Sequence, residues 1–126
     1  MRPVLILFSD GIDTISLHSS VDAIQAATDG GVLIYTVDIG SPRSPTAGSA
    51  FLRQISEATG GRYFSRQDNP ASLVSVVLED LRSSYVVTYD LPSHQAGFHA
   101  LRLLPTRNLN LTFHSRSGYY YDPMLR

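Results

Sequence analysis

Short apolar runs alternate with helical segments over the first two-thirds of the chain, and this alternation constrains the fold more than any other feature. Three runs, at residues 3–9, 32–39 and 62–65, have the composition of strands. The first is continuously apolar and stops at Asp10 and Gly11, which is typical of a strand buried on both faces of a parallel sheet. Repeated strand–helix units predict an α/β fold with a mostly parallel sheet.

Helix start and stop signals separate the predicted strands. Ser19 or Ser20 caps the first helix, and the glycines at 30 and 31 end it. A loop rich in Gly, Ser and Pro over residues 40–49 precedes the second helix, which ends at the glycines at 60 and 61. The third helix begins near Pro70, where proline is tolerated. Its apolar stripe is Leu73, Val74, Val77, Leu78 and Leu81.

From Tyr85 onward the apolar period changes to two. Apolar and polar residues alternate over 85–91, 99–103 and 109–114, with a turn predicted at 105–108. This pattern predicts antiparallel strands added to the α/β body. We therefore expect a partial doubly wound sheet over residues 1–91 and a β-hairpin extension over 92–126, packed on the same domain.

The composition excludes several function classes. The chain has 126 residues, enough for one domain, and a net charge of −1, which argues against a nucleic-acid binder. It has no cysteine, and all ten basic residues are arginine. Without lysine there is no Walker A loop and no Schiff base. The apolar run at 4–8 is too short for a membrane span or a signal peptide, so the signal of an exported protein would precede Met1.

The residue with the clearest chemical potential is Asp10. It follows the first strand, and ligands of open α/β sheets bind at the carboxyl ends of the strands. A hard cation such as Mg²⁺ takes oxygen ligands of this kind. The alternative is purely structural, because Asp-Gly is a common turn dipeptide and Asp13 suits an Asx-turn or a helix cap.

Six segments occur in an order and spacing that resemble a known family. They are VLILFSDGID at 4–13, VLIYTV at 32–37, LRQISEATGGRYF at 52–64, LRSSY at 81–85, FHALR at 98–102 and RSGYY at 116–120. Together they resemble the C-terminal half of a von Willebrand factor A (vWA) domain. More narrowly, they are similar to the vWA-related proteins of acidobacteria. The resemblance covers nearly the whole chain.

The resemblance implies a position for Asp10 in a metal-ion-dependent adhesion site. In the family, that site gathers an Asp-x-Ser-x-Ser loop, a Thr loop and an Asp that follows a strand; Asp10 matches the last. The first two loops have no counterpart here, so we expect Mg²⁺ or Mn²⁺ in a full-length protein and none in this chain. Asp38 or Asp13 is a candidate second carboxylate, although Asp38 fits better as a loop residue with a solvated side chain.

The function that the resemblance implies is non-enzymatic, namely metal-assisted capture of an acidic residue of a partner protein. No nucleic acid and no membrane span are expected. Two interpretations of the three consecutive tyrosines near the end of the chain remain open. They form a patch that binds the partner, or they are strand residues that cover the added sheet; the residues are Tyr119, Tyr120 and Tyr121.

Two other functions remain open. The first is a structural fragment that binds no ligand and associates with itself, as a homo-oligomer, through an exposed sheet edge. The second is a phosphatase of the haloacid dehalogenase type. The segment Phe8-Ser9-Asp10-Gly11 superficially resembles the motif of those enzymes. Its nucleophilic carboxylate belongs two residues before Asp10, where Phe8 stands, and phenylalanine cannot attack phosphorus.

Overall fold

The three apolar segments pair into one parallel sheet with the strand order β1-β2-β3. The strands are β1 Val4–Ser9, β2 Leu33–Asp38 and β3 Tyr63–Phe64. They are seen in a computed structural model that describes residues 2–12, 17–40, 46–66 and 68–125. All six residues of β1 pair with β2. The expected α/β class is therefore confirmed, while a doubly wound arrangement remains a prediction.

Helices cover both faces of the central strand β2. They are α1 Ser20–Asp29, α2 Ala47–Thr59 and α3 Pro70–Arg82. On one face, α3 contributes to a cluster formed by Leu33, Tyr35, Val37, Phe64, Leu73 and Val77. On the other face, α1 and α2 contribute to a cluster formed by Ile24, Ile34, Ile55 and Ala58. Every residue of β2 is buried, so this strand is the core of the domain.

The helix boundaries follow local capping chemistry. Ser19 caps α1 and forms a reciprocal capping box with Asp22. Thr46 caps α2 through the backbone N–H of Ser49, so this helix begins inside the segment expected to be a loop. Asn69 caps α3, which has Pro70 in its first turn as predicted. The rest of that loop, residues 41–45, lies outside the described residues.

The environment of β1 differs from the prediction of a strand buried on both faces. Four of its six residues are exposed, from 39% for Val4 to 62% for Phe8, and Leu7 and Ser9 are half-buried. The reason is topological: β1 pairs with β2 on one side, and no other described segment pairs with it on the other. A continuous apolar run predicts that a strand is buried on both faces. It does not reveal whether the described residues contain the neighbouring segments that would bury it.

The C-terminal part contains fewer strands than the alternating pattern predicts. An antiparallel pair is present, formed by β4 Gly97–Ala100 and β5 Gly118–Tyr121. Residues 85–91, 101–103 and 109–114 form no strand, and the turn at 105–108 joins no hairpin. Tyr85 and Val86 are more than nine-tenths exposed. Alternation marks the two faces of a potential strand, but a strand also needs a hydrogen-bonding neighbour.

Two sets of contacts fix the outer elements to the rest of the domain. The backbone N–H of Ser117 donates to Ala58 O at 2.9 Å, which attaches the β4–β5 pair to the end of α2. On the opposite face, both oxygens of Asp80 accept from the Arg62 guanidinium at 2.7 Å, and Tyr35 donates to the same carboxylate. Burial, with Asp80 beside it, raises the pKa of Tyr35 to about 12. This cluster locks α3 to β2 and β3.

Candidate functional site

The carboxyl ends of β1 and β2 bring two carboxylates to the same end of the sheet. Ser9 pairs with Asp38 in the parallel register, and the N–H of Ile39 donates to Ser9 O at 3.0 Å. Asp10 is the next residue after β1. A Cβ placed on Gly40 would lie 2.9 Å from Asp38 Oδ1 and 3.6 Å from Asp10 Cβ, so Gly40 contacts both residues. We call Asp10, Asp38, Gly40, Ser49 and Tyr63 the carboxyl-end site.

Asp10 is exposed and lies in a turn. Its Oδ1 accepts the N–H of Ile12 at 3.0 Å, and Ser9 Oγ accepts the N–H of Gly11 at 2.9 Å. The turn interpretation and the ligand interpretation are therefore compatible, because one carboxylate both closes the turn and faces solvent. Asp13 lies outside the described residues.

Asp38 is not the solvated loop residue that the sequence suggested. It is the last residue of β2, and only 7% of its surface is exposed. Its Oδ1 accepts the N–H of Gly40 at 2.8 Å, and its Oδ2 accepts the hydroxyls of Ser49 and Tyr63 at 2.5 and 2.8 Å. The Ser49 hydrogen bond, helped by those from Gly40 and Tyr63, outweighs burial and lowers the pKa of Asp38.

These bonds give Asp38 a structural role. Ser49 lies in the first turn of α2, and Tyr63 begins β3, so one carboxylate joins three elements. Tyr63 is held from its other side by Arg53, whose guanidinium carbon lies 4.3 Å from the ring centre. Burial and the hydrogen bond to Asp38 raise the pKa of Tyr63, which keeps it a donor. Asp38 fixes the shape of the site, and Asp10 is the carboxylate that it presents to solvent.

A close backbone contact holds the start of α2 against the Asp10 turn. Gly11 has a φ of +72°, and a Cβ there would overlap the backbone of Gly48. A Cβ on Gly48 would overlap Asp10 O in the same way. This approach places the N-terminus of α2 beside the turn and leaves no room for a side chain between them.

The described residues do not form a metal centre. Among residues 2–12, 17–40, 46–66 and 68–125, no group of three or more His, Cys, Asp or Glu side chains is placed to hold an ion. Asp38 already accepts three hydrogen bonds, so Asp10 is the carboxylate of this site that remains exposed. Mg²⁺ needs six oxygen ligands and keeps several waters, and a single carboxylate holds it weakly.

The three tyrosines of β5 take part in cross-strand packing with β4 and the segment before it. Tyr119 is 5% exposed, stacks on His99 and donates to Ser93 O at 3.0 Å. Tyr120 packs on Phe98, and Tyr121 meets His94 edge-on. Tyr119 is thus a packing residue of the added sheet, whereas Tyr120 and Tyr121 are half-buried.

Sequence reasoning missed three members of the carboxyl-end site, Gly40, Ser49 and Tyr63. Ser49 follows Thr46 at the spacing of a helix N-cap and its third residue, a signal that was available. Tyr63 gave no signal, because its bond to Asp38 joins residues 25 apart in the chain.

A second concave region lies at the opposite end of α2. It is a groove of about 280 Å³ between the glycines at 60 and 61 and the segments 101–103 and 113–117. Glu57, Arg102, His114 and Arg116 are among the residues that line it. No group of three or more His, Cys, Asp or Glu side chains among the described residues is placed there to hold an ion.

Among known proteins, similarity to this chain was found in the comparison with solved structures. No protein-family model and no curated protein matches the chain. The chain is similar to a solved structure described as an uncharacterized membrane spanning protein from Vibrio fischeri, with 25% identity and a TM-score of 0.49. The match covers 67% of this chain and 48% of that one, so the chain spans about half of that protein's length. None of the described helices is long and apolar enough to cross a bilayer.

Proposed function

We propose that this chain is part of a non-enzymatic protein-interaction module of the vWA class, in which Asp10 is the exposed functional carboxylate. The observation that carries the proposal is the contrast between two neighbouring acids. Asp38 is buried and accepts three hydrogen bonds, whereas Asp10 is exposed at the carboxyl end of β1. That end of an open α/β sheet is where ligands bind.

The elements around Asp10 are joined by direct contacts, which support a binding site. The Gly11–Gly48 backbone contact and the bonds of Asp38 to Ser49 and Tyr63 hold the turn, α2 and β3 together. A carboxylate presented from such a support loses little entropy when it binds a partner or an ion.

The proposal includes an incomplete metal site. In the family that the sequence resembles, the equivalent of Asp10 is one of several oxygen ligands. Asp10 would be that ligand, and among the described residues no group of three or more His, Cys, Asp or Glu side chains is placed to hold an ion. Metal-assisted binding of a partner would therefore need oxygen ligands other than those described.

Calorimetric titration with Mg²⁺ and with Mn²⁺ tests the metal part of this proposal. We expect no saturable binding up to about 1 mM, because one carboxylate cannot replace enough of the hydration shell. Asp10→Ala and the control Asp122→Ala, an exposed acid just after β5, should give the same titration as the unaltered chain. Saturable micromolar binding that Asp10→Ala removes would show a complete site and contradict this expectation. Saturable binding that Asp10→Ala leaves intact would contradict the role of Asp10.

A further inference from the structure

The free edge of β1 presents its backbone groups at alternate residues. Pro3 O accepts from the N–H of Leu33, and Ser9 O accepts from the N–H of Ile39. Odd-numbered residues of β1 thus direct their backbone groups to β2. In a parallel pair, the intervening residues direct theirs to the opposite side. The N–H and C=O groups of Val4, Ile6 and Phe8 therefore point to the free edge.

The same three residues place their side chains on one face of the sheet. Val4, Ile6 and Phe8 pair in register with Leu33, Tyr35 and Val37, which pack on α3. Their exposed fractions are 39%, 40% and 62%. Beside β1 the α3 layer does not reach far enough to cover them.

Helix α3 adds an exposed apolar flank on the side of β1. Leu73 and Val77 face the sheet, and Asp80 reaches Arg62 beside β3. On a helix of 3.6 residues per turn, the opposite flank consists of Val74, Leu78 and Leu81. All three are at least 38% exposed. We call these residues, together with Val4, Ile6 and Phe8, the β1 patch.

We propose that the β1 patch binds a second copy of this chain, with the two β1 strands antiparallel about a two-fold axis through Ile6. With the axis perpendicular to the sheet, the two copies place α3 on the same face. Directly opposite residues of the two strands must then point to the same face of the sheet. Because side chains alternate between the faces, the two residue numbers of each opposite pair must sum to an even value. Pairing Ile6 with Ile6 of the second copy sets Val4 opposite Phe8 and Phe8 opposite Val4.

This register satisfies the backbone and the side chains at once. The residues that point to the free edge are the same ones that become hydrogen-bonded pairs, so each of three pairs exchanges two N–H···O bonds. On the other face, Leu5 lies opposite Leu7 of the second copy. All the cross-strand pairs within the strand are apolar, apart from its final residue Ser9, which meets Pro3.

The sequence of β1 favours a second copy as the occupant, because in this register the apolar side chains of one copy meet apolar side chains of the other along the strand. The Arg2 guanidinium donates to Gly31 O and Thr59 O at 3.3 and 3.1 Å, which holds its charge on the side of β2 and away from the free edge. Between Pro3 and Ser9 the edge has no charge, bulge or internal proline, the usual devices that prevent strand pairing.

The dimer would have a continuous six-stranded sheet with the order β3-β2-β1-β1-β2-β3. Its two Asp10 residues lie at opposite ends of the paired strands, so they cannot share one metal ion. The proposal is therefore independent of the role given to Asp10, and each can fail without the other.

Light scattering and a cysteine cross-link test the dimer and its register. At about 50 μM we expect a mass of twice 13.8 kDa. Ile6→Lys places two ammonium groups at the axis and should raise the dissociation constant at least tenfold; Leu111→Lys, at an exposed residue outside the patch, should not. Phe8→Glu should also give monomers. Because Phe8 is more exposed to solvent than Ile6, this variant should disturb folding less than Ile6→Lys does.

Cross-linking gives a positive signal for the dimer, so it does not depend on variants that could lose the dimer by unfolding. The chain has no cysteine, so Ile6→Cys introduces one. Cα atoms of a hydrogen-bonded antiparallel pair lie about 5.5 Å apart, within disulfide range. Mild oxidation should link Ile6→Cys into dimers and leave Phe8→Cys unlinked, since those two thiols would be about four residues apart along the strands. A monomeric mass, a dimer that survives both charged variants, or equal linking at positions 6 and 8 would overturn the proposal.

Discussion

Gly61→Ala will destabilise the fold by about 4 kcal/mol or more, the largest effect expected of any single substitution proposed for this chain. A Cβ at Gly61 would overlap the carbonyl oxygen of Ile34, in the central strand. Neither atom can move easily. Ile34 belongs to the fully buried β2, and the N–H of Gly61 donates to Ser56 O at 2.9 Å. Because a domain is stable by only about 5–15 kcal/mol, much of the population should unfold.

Gly31→Ala is the matched control for this substitution. Gly31 has a φ of +63°, but a Cβ there would meet nothing within 4 Å. Only the backbone conformation is then strained, which costs about 1–2 kcal/mol. Urea unfolding followed by circular dichroism measures both variants. Equal losses at the two positions would show that the contact with Ile34 is not the cause.

Asp38→Ala is expected to cost about 2–4 kcal/mol, because it removes a buried carboxylate that accepts three partly buried hydrogen bonds. The N–H of Gly40 and the hydroxyls of Ser49 and Tyr63 would lose their shared partner. Asp10→Ala, one residue beyond the paired strand, removes only an exposed bond to Ile12 and should cost less than about 0.5 kcal/mol. Similar losses for the two variants would contradict the separate roles given to these acids.

The same carboxylate predicts part of the acid sensitivity. The pKa of Asp38 is lower in the folded chain than the value near 3.9 expected when it is unfolded. Its contribution to stability is therefore fully present above about pH 4 and is lost as the pH falls through the folded-state pKa. In Asp38→Asn, the free energy of unfolding should fall less steeply below pH 4 than in the unaltered chain. An unchanged slope would contradict this assignment.

Local signals predicted the order of elements well. Ser19, the glycines at 30 and 60, and Pro70 mark helix ends through short-range capping and backbone conformation, which need no tertiary partner. The strand positions of β1 and β2 followed from apolar runs in the same way. These features are encoded within a few residues, so a single sequence reveals them.

The sequence-based predictions that were wrong depend on contacts between residues far apart in the chain. Whether β1 is covered depends on a neighbour on its free side, and whether residues 109–114 form a strand depends on a pairing segment. The burial of Asp38 depends on Ser49 and Tyr63, 11 and 25 residues later. A polar residue at the end of an apolar run gives no sign of such distant donors, so the solvated interpretation was the natural one.

The two surfaces described here are separate in position and chemistry. The carboxyl-end site is polar and lies where β1 ends, whereas the β1 patch is apolar and lies along the strand and α3. A dimer formed through the β1 patch would present two copies of Asp10, one at each end of the paired strands. Two-fold presentation would strengthen binding to a partner that has repeated sites.

We propose that Asp10, and not Asp38, is the carboxylate that this site offers to a ligand. Paramagnetic broadening by Mn²⁺ in the ¹H–¹⁵N spectrum tests it most directly, because broadening detects association too weak for calorimetry. We predict that substoichiometric Mn²⁺ broadens the amides of Ser9, Gly11, Ile12 and Gly40 first. This broadening should disappear in Asp10→Asn and persist in Asp122→Asn. Broadening of those amides that is unchanged in Asp10→Asn would contradict the claim.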